Sequence, residues 1–224
     1  MPIRNAILAN DQIYHVYNRS NGKEIIFDNK KHNDRALDLL NYYRFPHKKR
    51  YSHFKDLSTE EKITYISKIE KSVPLVEIYA FALMPNHFHL LVKQIKDKGI
   101  SKFISNFQNS FAKYFNLKNK RTGSLFQNMF KAKRLESEGD LLNVSRYIHL
   151  NPVNSFLIKP DSLINYPWTS FYYYLRKNSP DFISTDMLLD MFESKKKFKE
   201  FVFDKKSYEE EIKKLRKLLL EKVP

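Results

Sequence analysis

The chain has no cysteine, four glycines and a single tryptophan among its 224 residues. Without cysteine there is no disulfide and no cysteine-based zinc site. Scarce glycine excludes collagen-like and glycine-rich repeats, and no repeat of solenoid period is apparent. No apolar stretch approaches the ~20 residues needed to span a bilayer. The N-terminus carries Arg4, Asn5, Asn10 and Asp11 where a secretory signal would have an apolar core. A cytoplasmic protein with no membrane partner is the expectation.

What the chain has in quantity is positive charge and aromatic surface. Forty Lys and Arg face 25 acidic residues, for a net charge of +15, and 18 Phe and 14 Tyr bring the aromatic fraction to 15%. A basic surface concentrates polyanions, and exposed aromatics can stack on unpaired bases. A lysine-rich composition with aromatics filling the core would look the same, so charge alone leaves nucleic-acid binding open. A hydrophobic fraction of 42% argues against disorder. The length suits one domain, or one domain with an extension.

The most informative stretch runs from Ala80 to Val92. The apolar run Ala80–Met84 meets a Pro85-Asn86 corner, and a second run, His87-Phe88-His89-Leu90-Leu91-Val92, follows. This pattern predicts two strands joined by a turn, Leu75–Met84 and His87–Lys93, as the central pair of a sheet. Side chains alternate faces along a strand, so His87 and His89 point one way and Phe88 the other. Two imidazoles on one rigid face can grip a divalent metal. They can also be two partly exposed residues at a sheet end.

Other elements follow from local patterns. Gln12–Asn18 reads as a strand, with a turn at Asn21-Gly22. A helix is predicted from Asp28, with Ala36, Leu37, Leu39, Leu40 and Tyr43 on its apolar face. Ser58 and Glu61 have capping-box spacing before Ile63, Ile66 and Ile69. A helix starting near Ser101 presents Phe103, Ile104, Phe107, Phe111 and Tyr114. Ser124–Phe130 and Lys131–Leu135 can form another strand. Ser137 and Asp140 open a helix that Pro152 is expected to end. Ser207–Val223 reads as a final helix, with Asn178-Ser179-Pro180 as a domain boundary before it. The division is thus residues 1–178 and a helical extension, 179–224.

Tyr147 lies on the helix before Pro152, and Asn151 follows four residues later, on the same face if the helix persists. By spacing alone Tyr147 reads first as a half-buried helix tyrosine. With a metal nearby it could be a nucleophile, and the Asn151 amide oxygen could be a further ligand. His149 is a competing ligand, though its offset from Tyr147 puts it on another helix face. Lys118, Lys120 and Arg121 form one basic cluster and Lys131, Lys133 and Arg134 another. Both read as phosphate contacts or as solvated basic surface.

Met84-Pro-Asn-His-Phe-His-Leu-Leu-Val92 resembles the His-hydrophobic-His strand of single-tyrosine transposases. Arg146-Tyr-Ile-His-Leu-Asn-Pro-Val153 resembles the tyrosine helix of their REP-associated branch. Tyr14-His-Val-Tyr-Asn-Arg19, Gly123-Ser-Leu-Phe-Gln127 and Tyr166-Pro-Trp-Thr-Ser170 are similar to that branch as well, in the same order along roughly the first three quarters of the chain. The resemblance implies an α+β, ferredoxin-like or RRM-like antiparallel sheet with helices packed on it. It implies His87, His89 and Asn151 as ligands of Mg²⁺ or Mn²⁺, Tyr147 as nucleophile, and single-stranded or hairpin DNA as substrate, cut and rejoined through a 5′-phosphotyrosine. Two rivals stay open: a metal-dependent phosphodiesterase without a covalent step, and a non-catalytic DNA- or RNA-binding regulator. A monomer and a homodimer are both compatible with the sequence.

Overall fold

The computed structural model describes residues 7–176 and 180–204. Its scaffold is a four-stranded antiparallel sheet. The strands are β1 (Ile13–Arg19), β2 (Val76–Met84), β3 (His87–Gln94) and β4 (Lys131–Arg134), in the spatial order β2-β3-β1-β4. Between β1 and β2 lie α1 (Lys30–Tyr43), α2 (Tyr51–Lys55) and α3 (Thr59–Glu70). α4 (Gly99–Lys118) links β3 to β4, and α5 (Glu138–Asn154) follows β4. The order β-α-β-β-α-β with β1 and β3 at the centre is the ferredoxin-like arrangement. α6 (Phe171–Tyr174), α7 (Asp186–Leu189) and α8 (Lys195–Phe203) complete the described chain.

The sheet separates two kinds of packing. On one face Phe88 meets Phe107 of α4 and Phe126, with ring centroids 5.2 and 5.9 Å apart. α1 packs on α4 behind it. On the other face β2 presents Ala80 and Ala82, whose small side chains leave room for α5 to lie against β2 and β3. Side-chain alternation along β3 sorts these two layers.

Edge strands invite unwanted pairing unless covered. β2 is an edge, not a central strand. Its outer side is closed by a bridge from Ala82 to Thr169 and by hydrogen bonds Leu83 N–H to Trp168 O and Ser170 N–H to Phe81 O. Further along, Ile183 bridges Ile78. Residues 180–204 share the core, because Phe198 of α8 stacks on Tyr174 at 5.0 Å.

Several expectations are met, and some are corrected. The Ser58 capping box forms in full, yet no residue of α3 is buried and Ile63 is 65% exposed. The helix expected near Ser101 begins at Gly99. There the backbone passes so close to the Leu75 carbonyl that a Cβ would sit 2.3 Å from the oxygen. Ser124–Phe130 does not extend into a strand. Asn21 takes over its polar groups instead, donating from Nδ2 to the carbonyls of Ser124 and Phe126 and from its backbone N–H to Leu125 O. Pro152 does not end its helix, and α5 runs on to Asn154. A proline this close to a C-terminus removes only the bond to Ile148 O, and the last carbonyls are met from beyond: Ser155 N–H bonds Asn151 O and Leu157 N–H bonds Pro152 O. Residues 207–223 and the boundary residues 178 and 179 lie outside the described residues. Among the described residues no helix is long and apolar enough to cross a membrane.

Candidate active site

The register of β1 against β3 pairs Tyr17 with His89, His15 with Leu91 and Arg19 with His87. Directly opposed residues share a face. His15, Tyr17, Arg19, His87 and His89 therefore line one side of the two central strands. The His87 and His89 rings stand edge to face, 5.0 Å apart. Tyr17 stacks on His89 at 5.7 Å and on His15 at 5.0 Å. α5 brings Tyr147 over this surface, its ring edge-on to His89 at 5.6 Å and to His15 at 6.1 Å. Asn151 follows one turn later, buried on the same stretch of α5.

Burial sets the charge state of the cluster. His89 is held well below the usual histidine range by burial first, and then by the neighbouring His87, His15 and Arg19. Burial, with a smaller push from Arg19, lowers His87 to about 4. Burial lowers His15 to about 3. These are neutral imidazoles at physiological pH, the form that binds metals. His87 Nδ1 donates to Asn86 Oδ1 at 2.7 Å. His89 Nδ1 is hydrogen-bonded to His15 Nε2 at 3.0 Å. With both Nδ1 atoms engaged, a metal would be held through the Nε2 atoms. Among the described residues no three His, Cys, Asp or Glu side chains gather into a metal site. A third protein ligand would have to be an amide or a hydroxyl. Two imidazoles and an amide such as that of Asn151 would be suitable donors for a divalent ion and would leave open positions for phosphate oxygens.

His149 is excluded from this cluster by its helix face. It is fully buried on the far side of α5, with Nε2 2.9 Å from Ser170 Oγ and its ring against Tyr174 and Phe171. Its role is to tie α5 to the segment that covers the β2 edge. Arg146, beside Tyr147 in sequence, is also fully buried. Its guanidinium bonds the carbonyls of Val202 and Asp204 and lies 4.8 Å from the Phe201 ring, which fastens α8 to α5.

The basic candidates divide in the same way. Lys131 and Lys133 oppose Tyr17 and His15 and so border the histidine face, with the Lys131 amine 5.7 Å from the Tyr17 ring centroid. Arg134 opposes Tyr14 and belongs to the other face. Lys118 and Lys120 are exposed at the end of α4. Arg121 is already engaged, with Glu24 at 2.7 Å and Asn116 Oδ1 at 3.1 Å. His15, Tyr17 and Arg19 lie in a segment that resembles the family, but nothing in the sequence alone gives them a place in the site. Their i, i+2, i+4 spacing on β1 marks a shared face, but only the pairing with β3 shows that it is the face of His87 and His89.

Comparison with known proteins agrees with this architecture. A family model described as IS200-like transposase matches residues 38–151. A solved REP-associated tyrosine transposase bound to a REP hairpin superposes with a TM-score of 0.56, at 13% identity, over 83% of this chain and 92% of that one. A putative transposase from Deinococcus radiodurans R1 is 14% identical over 66% of this chain and 95% of that one, with a TM-score of 0.36. No curated protein sequence matches. The family match spans His87, His89, Tyr147 and Asn151, and the chain belongs to the IS200-like transposase family.

Proposed function

We propose that this protein cuts and rejoins single-stranded DNA beside hairpins, with Tyr147 as the nucleophile. The observation that carries the reading is the placement of Tyr147 on α5, its ring 5.6 Å from that of His89. The tyrosine oxygen attacks the scissile phosphorus, a new P–O bond forms, and the bond to the 3′ oxygen breaks. The phenolic proton leaves to solvent or to the departing 3′-OH. The product is a 5′-phosphotyrosine that retains the bond energy, so a 3′-OH can reverse the step without ATP. A Mg²⁺ or Mn²⁺ ion held by His87, His89 and Asn151 would withdraw charge from the phosphate in the transition state. Of the two basic clusters, Lys131 and Lys133 border the histidine face and would follow the DNA backbone. Lys118 and Lys120 would extend that track. A hairpin ligand is suggested by the REP hairpin bound to the similar solved transposase.

One observation favours a second assignment of the nucleophile. Tyr17 is as near to His89 as Tyr147 is, at 5.7 Å. The test is a denaturing gel with end-labelled hairpin DNA and Mn²⁺. Under the proposal a DNA-linked protein band forms with the wild type and with Tyr17→Phe, and not with Tyr147→Phe. Cleavage that persists without any linked band would instead indicate a water-using phosphodiesterase.

A further inference from the structure

His15 is a fully buried imidazole whose ring, among the described residues, has one hydrogen-bond partner. Its Nε2 lies 3.0 Å from His89 Nδ1, and its own Nδ1 is buried with no hydrogen-bond partner among the described residues. The two rings lie nearly parallel, 9° apart in orientation with centroids 5.2 Å apart. Tyr17 stacks on His15, and Tyr147 closes over it edge-on. Burying a polar ring with one nitrogen unpaired carries a free-energy cost that an apolar side chain would avoid. A residue kept at such a position is explained by what it does for its one partner.

That service can be read from the neighbouring histidine. Asn86 Oδ1 is an acceptor only, so the Nδ1 of His87 must carry the ring proton and Nε2 a lone pair. His89 needs the same arrangement to use Nε2 as a ligand, and it needs an acceptor at Nδ1. His15 Nε2 is the atom in place. We propose that His15 is a positioning residue for the metal site: it accepts the Nδ1–H of His89, fixing the ring's tautomer and aim. β1 thereby contributes to the site from 74 residues away, through the register of the sheet rather than through contact with DNA. The inference rests on the proposed metal role of His87 and His89.

The test measures Mn²⁺ affinity of the full chain without DNA, by calorimetry, for the wild type, His89→Ala, His15→Leu and His15→Gln. The glutamine can bring an amide oxygen to the place of Nε2. A partner of a ligating histidine typically changes metal affinity by about 10–100-fold when removed. The expected pattern is strong loss in His89→Ala, a loss of that order in His15→Leu, and recovery of most of it in His15→Gln. Loss in His89→Ala with wild-type affinity in His15→Leu overturns the role of His15 and leaves the metal site standing. Unchanged affinity in His89→Ala removes the metal site, and the inference with it. Should His15→Leu fail to fold, ¹⁵N NMR of the wild type loaded with Mg²⁺ decides: a protonated Nδ1 on His89 supports the proposal, and a bare Nδ1 overturns it.

Discussion

The two faces of β3 are made of alternate residues of one short strand, yet they obey different rules. Phe88, Leu90 and Val92 face α4 and are fully buried among Phe103, Phe107 and Phe111. That side is a packed apolar layer, and it fixes where the strand lies. His87 and His89 face α5, with His15, Tyr17, Arg19 and Tyr147 around them. That side carries neutral imidazoles kept from protonation by burial. Packing on the first face is what lets the second hold polar groups in a fixed geometry. The site therefore sits on a rigid element, where its rings cannot drift.

This contrast can be broken from either side. The largest effect is expected on the histidine face: His87→Ala and Tyr147→Phe should each cut DNA cleavage by at least ~100-fold, the scale of losing one transition-state stabiliser. Neither change should lower the melting temperature by more than a few degrees. On the other face Phe88→Ala should do the reverse in kind, removing about 3–5 kcal/mol of stability measured by urea unfolding. Its residual activity should follow the fraction of chain that stays folded. An unstable His87→Ala together with a stable Phe88→Ala would invert the assignment of the faces.

His149 sharpens the comparison, because it is a buried histidine outside the site. Burial lowers it to about 3, from an ordinary value of 6.5. Between those values the unfolded chain binds a proton that the folded chain refuses. Stability contributed by the neutral ring is therefore intact above about 6.5 and is lost as the pH falls toward 3. The slope is at most ~1.4 kcal/mol per pH unit for this one group. His149→Gln, which can still reach Ser170 Oγ, should flatten the pH dependence of unfolding by up to that amount and leave Mn²⁺ affinity unchanged. The smallest effect belongs to the periphery. Ser58→Ala removes the cap of α3 and should cost about 1 kcal/mol in thermal unfolding, with cleavage unaffected.

How much of this was legible in the sequence depended on the distance over which each residue acts. The period of two along His87-Phe88-His89 placed the histidines together and Phe88 apart, because alternation is a property of the strand alone. The capping residues Ser58 and Ser137 were equally plain, since each cap is closed within three residues. The offset of His149 from Tyr147 correctly put it on another helix face. His15 was invisible because its hydrogen bond spans 74 residues and depends on which strands become neighbours. The Ser124–Phe130 segment looked like a strand by composition. Asn21, about a hundred residues earlier, draws it into an irregular loop with side-chain hydrogen bonds. Pro152 misled in the opposite direction, because its local preference is weaker than the capping bonds made by Ser155 and Leu157.

The central claim is that the oxygen bonded to DNA belongs to the tyrosine that α5 carries to the histidine face. Mass spectrometry of the covalent complex tests it most directly. Trypsin cuts after Arg146 but not at the Lys159–Pro160 bond, so Tyr147 begins the peptide Tyr147–Arg176, while Tyr17 lies in the separate peptide ending at Arg19. After reaction with hairpin DNA and Mn²⁺, followed by nuclease trimming, a residual 5′ nucleotide is expected on Tyr147 of the first peptide. A nucleotide on the Tyr17 peptide, or cleaved DNA with neither peptide modified, would contradict it.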